Sequence, residues 1–418
     1  MSSGTVYVVG AGISGLAAGV ALASRGARVV LIEGAGQAGG RCRSYVDPVL
    51  NQTIDNGNHL ILSGNHATFA YLRTIGSADR LAGPERACFA FVDVRSGARW
   101  TVSPNEGTIP WWVFSDSRRV PGTSLGEYLT IAKLLGASSS RRIGEVIRCD
   151  GALWERLLRP LLLAALNTEP EAACAGLAAA VLRETLMKGG RAYRPRIASP
   201  HLGSTFIDPA LDYLKKKGAE VRFGSRLRHV EVAGKRATML EVADGSITLG
   251  DNDRVVLATP AWVTGDLLPD VVAPTEFRSI VNAHFAIARP ANAPLMIGLI
   301  GGVAEWVFAF PDRVSVTVSG ADAIVDRDRE DLARTLWRDV AAAHGLGPEL
   351  PAWQIVKERR ATFAATPEQA KRRPKAETRW SNLFLAGDWT DTALPATIEG
   401  AVRSGNRAAE LALRPLAR

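Results

Sequence analysis

The 418-residue chain is predicted to adopt an α/β fold in which a Rossmann-like domain is split by an inserted α+β domain. Three observations carry this. Near the N-terminus an apolar run at residues 6–9 leads into a glycine-rich turn, a helical stretch and a second strand-like run at 28–32. Near the C-terminus a short apolar run at 382–386 ends in Gly387-Asp388, and a second helical stretch opens at Ile398-Glu399-Gly400-Ala401-Val402. Between these ends the α/β pattern lapses over 85–200, returns over 205–262 and lapses again to about 350. Residues 1–80, 205–262 and 355–418 are therefore assigned to the Rossmann-like domain, and 85–200 with 263–350 to the inserted one.

Taken in order, the first strand runs into Gly10-Ala11-Gly12-Ile13-Ser14-Gly15. In a strand–turn–helix context Gly10 permits the tight turn, Gly12 lets backbone approach a pyrophosphate, and Gly15 lets the helix pack close on the strand. Glu33 closes the second strand, placed to accept from a ribose hydroxyl. Matching elements at both ends of the chain imply one large dinucleotide spanning them. A second glycine turn, Gly39-Gly40-Arg41, follows, and then Ile54-Asp55-Asn56-Gly57-Asn58-His59, whose histidine has an unperturbed pKa suited to proton exchange near neutrality. His66 is expected on the surface of the next helix. The 85–200 block holds an aromatic loop at 111–114 and apolar-rich helical stretches at 125–135, 144–147 and 153–166. A helix at 209–217 stopped by Gly218, strands at 220–223, 227–232, 238–242 and 254–258, and then strands at 283–288, 306–310 and 314–318 with a helix near 329–343 complete the pattern.

The turn Gly39-Gly40-Arg41 after Glu33, together with Leu385-Ala386-Gly387-Asp388 and Glu399-Gly400-Ala401-Val402, resembles the flavin amine oxidase and carotenoid desaturase superfamily. That resemblance implies FAD, with Gly40, Arg41, Gly387, Asp388 and Ile398 on the cofactor and Val230 at the valine whose neighbouring backbone touches adenine. Asp55-x-Gly57-x-His59 is similar to the segment beside the flavin ring in plant-type phytoene desaturases, which implies Gly57 and Asn58 against the ring and His59 and Asp55 as the catalytic candidates. A glycine there is also reasonable physically, since a ring lying on backbone leaves no room for Cβ. Amine oxidases that tether flavin use a cysteine before the C-terminal motif; Thr362-Phe363-Ala364-Ala365-Thr366 has none, so FAD is expected to be non-covalent. Over its whole length, and specifically in 55–65 and 357–363, the chain resembles the squalene-associated hydroxysqualene dehydroxylases of bacterial hopanoid synthesis. That implies reduction of a lipophilic isoprenoid alcohol, with His59 donating a proton to the departing hydroxyl, Asp55 behind it, and an external electron donor or reductase renewing the flavin. A polyprenoid desaturase, an amine oxidase and a non-catalytic flavoprotein scaffold are the competing readings.

Composition bounds the partners. Hydrophobic residues at 47% and charged residues at 22% are globular values. The uncharged run at residues 290–304 contains two prolines and three glycines and is too short to span a bilayer. No basic leader precedes the first strand, and Cys42, Cys88, Cys149 and Cys174 lack metal-ligand spacing, so a reduced cytoplasmic protein with no metal site is expected. The net charge of +8 has no interleaved aromatics or nucleic-acid module, so nucleic acid is not expected as a partner. Peripheral contact with anionic lipid at the inner face of the cytoplasmic membrane is the expectation, with residues 111–114 and 153–166 forming the substrate mouth. A solvated basic face would explain the charge as well.

Overall fold

The computed structural model describes residues 4–415. Five parallel strands lie in the order Glu220–Arg222, Arg28–Ile32, Thr5–Val9, Arg254–Leu257 and Leu383–Leu385. Parallel strands covered on both faces need nearly continuous apolar sequence, and Arg-Val-Val-Leu-Ile, Thr-Val-Tyr-Val-Val and Leu-Phe-Leu supply it. Strand order reverses beside Thr5–Val9, so the crevice at the carboxyl ends of the sheet opens where the glycine turn and Gly387-Asp388 both emerge.

Helix Ile13–Ser24 crosses helix Ile398–Ala412 on that sheet at very short range. A Cβ on Gly405 would stand 2.2 Å from the Ser14 carbonyl oxygen. Helix Asp208–Lys216 flanks the first, its Leu214 3.5 Å from where a Gly19 Cβ would lie. The meander Leu227–Ala233, Arg236–Val242 and Gly245–Thr248 is tied back to the cofactor layer by Asn382, whose amide both donates to Ala237 O and accepts from Ala237 N at 2.9 Å.

The inserted domain is a seven-stranded sheet in the order Trp353–Phe363, Phe277–Phe285, Val314–Val318, Trp306–Ala309, Met296–Ile300, Phe89–Asp93 and Arg99–Val102. Neighbours are antiparallel except Met296–Ile300 with Phe89–Asp93. Side chains alternate in strands, so Val281, Ala283, Phe285, Val314 and Val316 face helix Arg329–His344 through Leu332, Leu336 and Val340. Asn282, His284, Ser315, Thr317, Trp306 and Phe308 share the opposite face, toward the cofactor domain.

Three expectations are revised. The domain boundary at residue 355 falls inside strand Trp353–Phe363, an edge of the seven-stranded sheet, so the Rossmann-like layer resumes only beyond Phe363. Its half-buried, charge-rich alternation is that of an antiparallel edge strand. The 144–147 stretch is only a 3₁₀ turn, Ile143–Glu145. The 153–166 segment is no surface mouth: Leu153, Trp154, Leu157, Leu158, Leu162, Leu163 and Leu166 are all buried, because its apolar stripe faces the core of the helical insertion. That helix contains a π-turn, Trp154–Leu158, just before Pro160, and Gly203–Ile207 likewise precedes Pro209. In each case proline cannot donate to the carbonyl four residues back, and the widened turn accommodates its ring.

A methyl group at the helix crossing has no space. Gly405→Ala should lower stability by about 1–3 kcal/mol, as overpacking does, and reduce retained flavin; a melting temperature equal to that of the parent would disprove the crossing.

Candidate active site

The glycine turn is shaped by backbone contacts. Gly10 sits at φ +105°, where a Cβ would lie 2.6 Å from Ala258 O, and a Cβ on Gly15 would lie 1.8 Å from Gly10 O. Gly12 is different: among the described residues no atom beyond its own chain neighbours lies within 4 Å of its Cβ position. The space beside it is an open cradle, and no side chain caps the helix that starts at Ile13, so the N–H groups of its first turn, Ile13, Ser14 and Gly15, are presented to an anion. Glu33 accepts from Ala11 N at 2.6 Å and Ala35 N at 2.8 Å, bracing the turn from the end of the second strand. The residues present thus fit a dinucleotide pyrophosphate, with the Glu33 carboxylate fixed in place by the backbone around it. Ser225 N donates to Glu33 O at 3.0 Å, and Val230, two strand residues beyond Arg228, is buried in one apolar cluster with Val9, Ile32 and Leu257.

The second turn docks on the first: Gly39 N donates to Ala11 O at 2.8 Å, with Gly39 at φ +108° and Gly40 at φ +54°. Arg41 then bridges the two ends of the chain, its Nη2 2.7 Å from Asp388 Oδ1 and its Nη1 donating to Ala361 O. Burial opposes its charge, but Asp388 outweighs that and holds the guanidinium above its ordinary value. Gly387 N donates to Ser404 Oγ at 3.0 Å, and Thr397 Oγ1 accepts from Gly400 N to cap the helix that Ile398 opens. Arg373, which no local motif announces, lies buried beneath this loop and donates to Asp388 O, Thr390 O and Thr392 Oγ1. Burial lowers it to about 10.

The Asp55–His59 segment lies beside Arg41. His59 Nε2 is 3.4 Å from Arg41 O, and burial pushes its imidazole below the ordinary value despite the partly compensating Arg41 carbonyl and Asp55. Asp55 does not bond His59; its Oδ1 accepts from Ser44 Oγ at 2.6 Å and Leu202 N at 2.9 Å, and its Oδ2 faces Arg313 at 3.4 Å. At Gly57 the Asn282 amide nitrogen lies 2.9 Å from the Cβ position, so a side chain there would collide with the inserted sheet. Asn58 Nδ2 donates to Thr317 Oγ1, which donates to Asn282 Oδ1 at 2.7 Å. Asn282, Thr317 and Arg313 come from strands and turns of distant sequence and carry no spacing that could have announced them. His66 is exposed, as expected. A narrow cleft opens here, with Asp55, Asn58 and His59 on one wall and Ile197, Ala198, Leu202, Phe308 and Phe310 around them. The arrangement joins a dinucleotide cradle to a mostly apolar cleft with one titratable ring, a setting for hydride chemistry on an apolar substrate.

Residues 13–413 match the family described as flavin containing amine oxidoreductase, and the chain belongs to that family. It is a flavin-dependent enzyme of the oxidoreductase class. Within that class it is 53% identical over 412 residues to a hydroxysqualene dehydroxylase of Rhodopseudomonas palustris, covering 98% of this chain and 99% of that one. A hydroxysqualene dehydroxylase of Sinorhizobium fredii is 50% identical over 98% of each chain. Among solved structures, cyclohexylamine oxidase from Brevibacterium oxydans superposes with a TM-score of 0.69 at 14% identity, over 98% of this chain and 99% of that one, which shows the shared fold.

The open cradle at Gly12 separates binding from folding. Gly12→Val should melt close to the flavin-stripped parent yet release little or no flavin on acid precipitation, whereas stoichiometric flavin in that variant would remove Gly12 from the site.

Proposed function

We propose that the protein reduces hydroxysqualene to squalene with bound, non-covalent FAD. The observation that carries this is near-full-length similarity to hydroxysqualene dehydroxylases, and the small cleft at Asn58 and His59 agrees with it in having a remaining wall of Ile197, Ala198, Leu202, Phe308 and Phe310 that is apolar. Non-covalent attachment is supported by Cys42, the thiol next to Arg41: burial raises it far above its ordinary value, so it stays protonated and is a poor nucleophile.

Reduced FAD, when bound, supplies the hydride. The allylic carbon–oxygen bond breaks with its electron pair on oxygen, a proton converts the leaving group to water, and the hydride forms the new carbon–hydrogen bond; an external donor then restores the flavin. His59 is the proposed proton donor, and the apolar wall keeps bulk water from the allylic cation. Glu33 and the glycine turn hold the dinucleotide, and Arg41 with Asp388 locks the two cofactor-binding ends of the chain together.

Anaerobic, photoreduced protein mixed with hydroxysqualene should yield squalene by mass detection; no product from fully reduced, flavin-loaded protein would refute the function. His59→Ala should retain FAD and lose turnover by about 100- to 10,000-fold. Because burial lowers the imidazole, its charged form grows only below pH 6.5, so single turnover of the prereduced enzyme should speed up on acidification through that region. His59→Gln should be slow and lack that rise. Wild-type rates in His59→Gln would leave the proton to water.

A lipid-soluble substrate needs delivery, and the docking face we propose is the turn Trp111–Phe114 with helix Leu125–Leu135, set against anionic bilayer lipid. Ile109, Trp111 and Phe114 are 75%, 50% and 70% exposed, and Leu125 and Leu129 stand one turn apart beside them, while Trp112 anchors the turn edge-on against Tyr128. Arg118 stacks on Trp111, and Lys133 lies on the same helix, giving positive charge around the apolar tip. Among the described residues no helix is long and apolar enough to cross a membrane. The protein should co-sediment with anionic liposomes and release in salt, and Phe114→Glu should weaken this; binding indifferent to lipid charge and salt would exclude the electrostatic attachment.

A further inference from the structure

Arg313 sits on the turn between strands Trp306–Ala309 and Val314–Val318, its side chain only 3% exposed. Its Nη2 lies 3.4 Å from Asp55 Oδ2 and 3.4 Å from Pro200 O, its Nη1 is 3.1 Å from Asp312 Oδ1, and its guanidinium carbon stands 4.0 Å over the Phe310 ring. Asp55 and Phe310 both line the cleft, one from the cofactor domain and one from the inserted sheet. We propose that Arg313 fixes the separation of these two walls and is thereby a positioning residue for the hydroxysqualene reduction proposed above.

Both of its attachments are rigid. Asp55 is pinned from behind by Ser44, which also accepts from Gly203 N at 2.7 Å, and by Leu202 N. Phe310 N donates to Arg313 O at 2.9 Å, so ring and guanidinium belong to one tight turn. The guanidinium is used on three sides at once, Nη2 toward Asp55, Nη1 toward Asp312 and the flat face on Phe310. Lysine has neither the fork nor the face. His284, buried nearby with Nδ1 2.7 Å from Ser315 Oγ, does not compete for Asp55: burial, reinforced by Arg313, lowers it to about 3 and leaves it neutral. Arg313 is therefore the cation that answers Asp55 across the domain boundary. The same loop carries His59 four residues on, so the gap that Arg313 spans is the one in which the substrate carbon must meet the cofactor.

Two variants and two readouts test this on the flavin-loaded protein. Arg313→Lys keeps a charge opposite Asp55 but loses the stack; the double variant Asp55→Asn with Arg313→Met leaves no charge buried alone. In both, flavin should stay bound while kcat for hydroxysqualene falls by about 100-fold, the effect of an ångström-scale misplacement, with KM changing far less. Independently of any substrate, iodide should quench the flavin fluorescence more steeply in both variants because the cleft has widened. Quenching and kcat equal to the parent in Arg313→Lys would overturn the proposal. So would loss of flavin from both variants, which would make Arg313 a folding residue. If the parent itself fails to reduce hydroxysqualene, that failure belongs to the substrate assignment, and the iodide comparison still decides the role of Arg313.

Discussion

Everything at the site depends on three places where the backbone comes too close for a methyl group. Gly15 against Gly10 O, Gly10 against Ala258 O and Gly405 against Ser14 O draw the first helix, the central strand, its neighbour and the last helix into one knot of contacts. Because those crossings are made by backbone, the turn between them keeps its shape without a ligand, and the open space at Gly12 is what remains for one. Arg41 and Asp388 then add an electrostatic clasp across the same junction. An ion pair that is only partly buried contributes little by itself. Here it lies between segments already held by packing, so its role is orientation more than stability.

The cleft inherits this order from the cofactor side and meets a sheet built on a different principle. One face of that sheet is continuous apolar packing under a helix, while the other carries Asn282, His284, Ser315 and Thr317 among aromatic residues. Polar groups placed there must find partners with each other or with the cofactor domain. The chain Asn58–Thr317–Asn282 does so, and Gly57 is a glycine because Asn282 occupies the space above it. The His59 segment is thus held between two domains, its conformation set as much by the inserted sheet as by the glycine turn before it.

The parts legible in the sequence are those in which one short segment contains its own reason. Gly10, Gly12 and Gly15 announce a turn because each spacing answers one steric demand, and the run Val314–Val318 is found with its limits because five alternating β-formers admit no helix. Strand Trp353–Phe363 was not separable from the cofactor segment that follows, since its polar alternation is meaningful only against a partner strand some 80 residues earlier. The 153–166 helix was ambiguous because an apolar stripe looks the same whether it meets lipid or core. Arg313, Asn282 and Arg373 were invisible for a further reason: each acts on residues far away in sequence, so no spacing records its partner. The place of Gly57, Asn58 and His59 in one segment was legible; what holds them there was not.

The order of the five parallel strands also governs how the protein comes into being. The central strand Thr5–Val9 acquires its second neighbour only when residues 254–257 have been made, and the sheet is not complete until Leu383–Leu385 emerges. During synthesis the earliest apolar strands therefore wait, one edge unpaired, through most of translation, a condition that invites association with other chains. The cofactor cradle closes last of all, when the final helix lays Gly405 against Ser14. Cofactor capture is then an event at the end of biogenesis, and a chain truncated even modestly at its C-terminus forfeits the binding site written at its beginning.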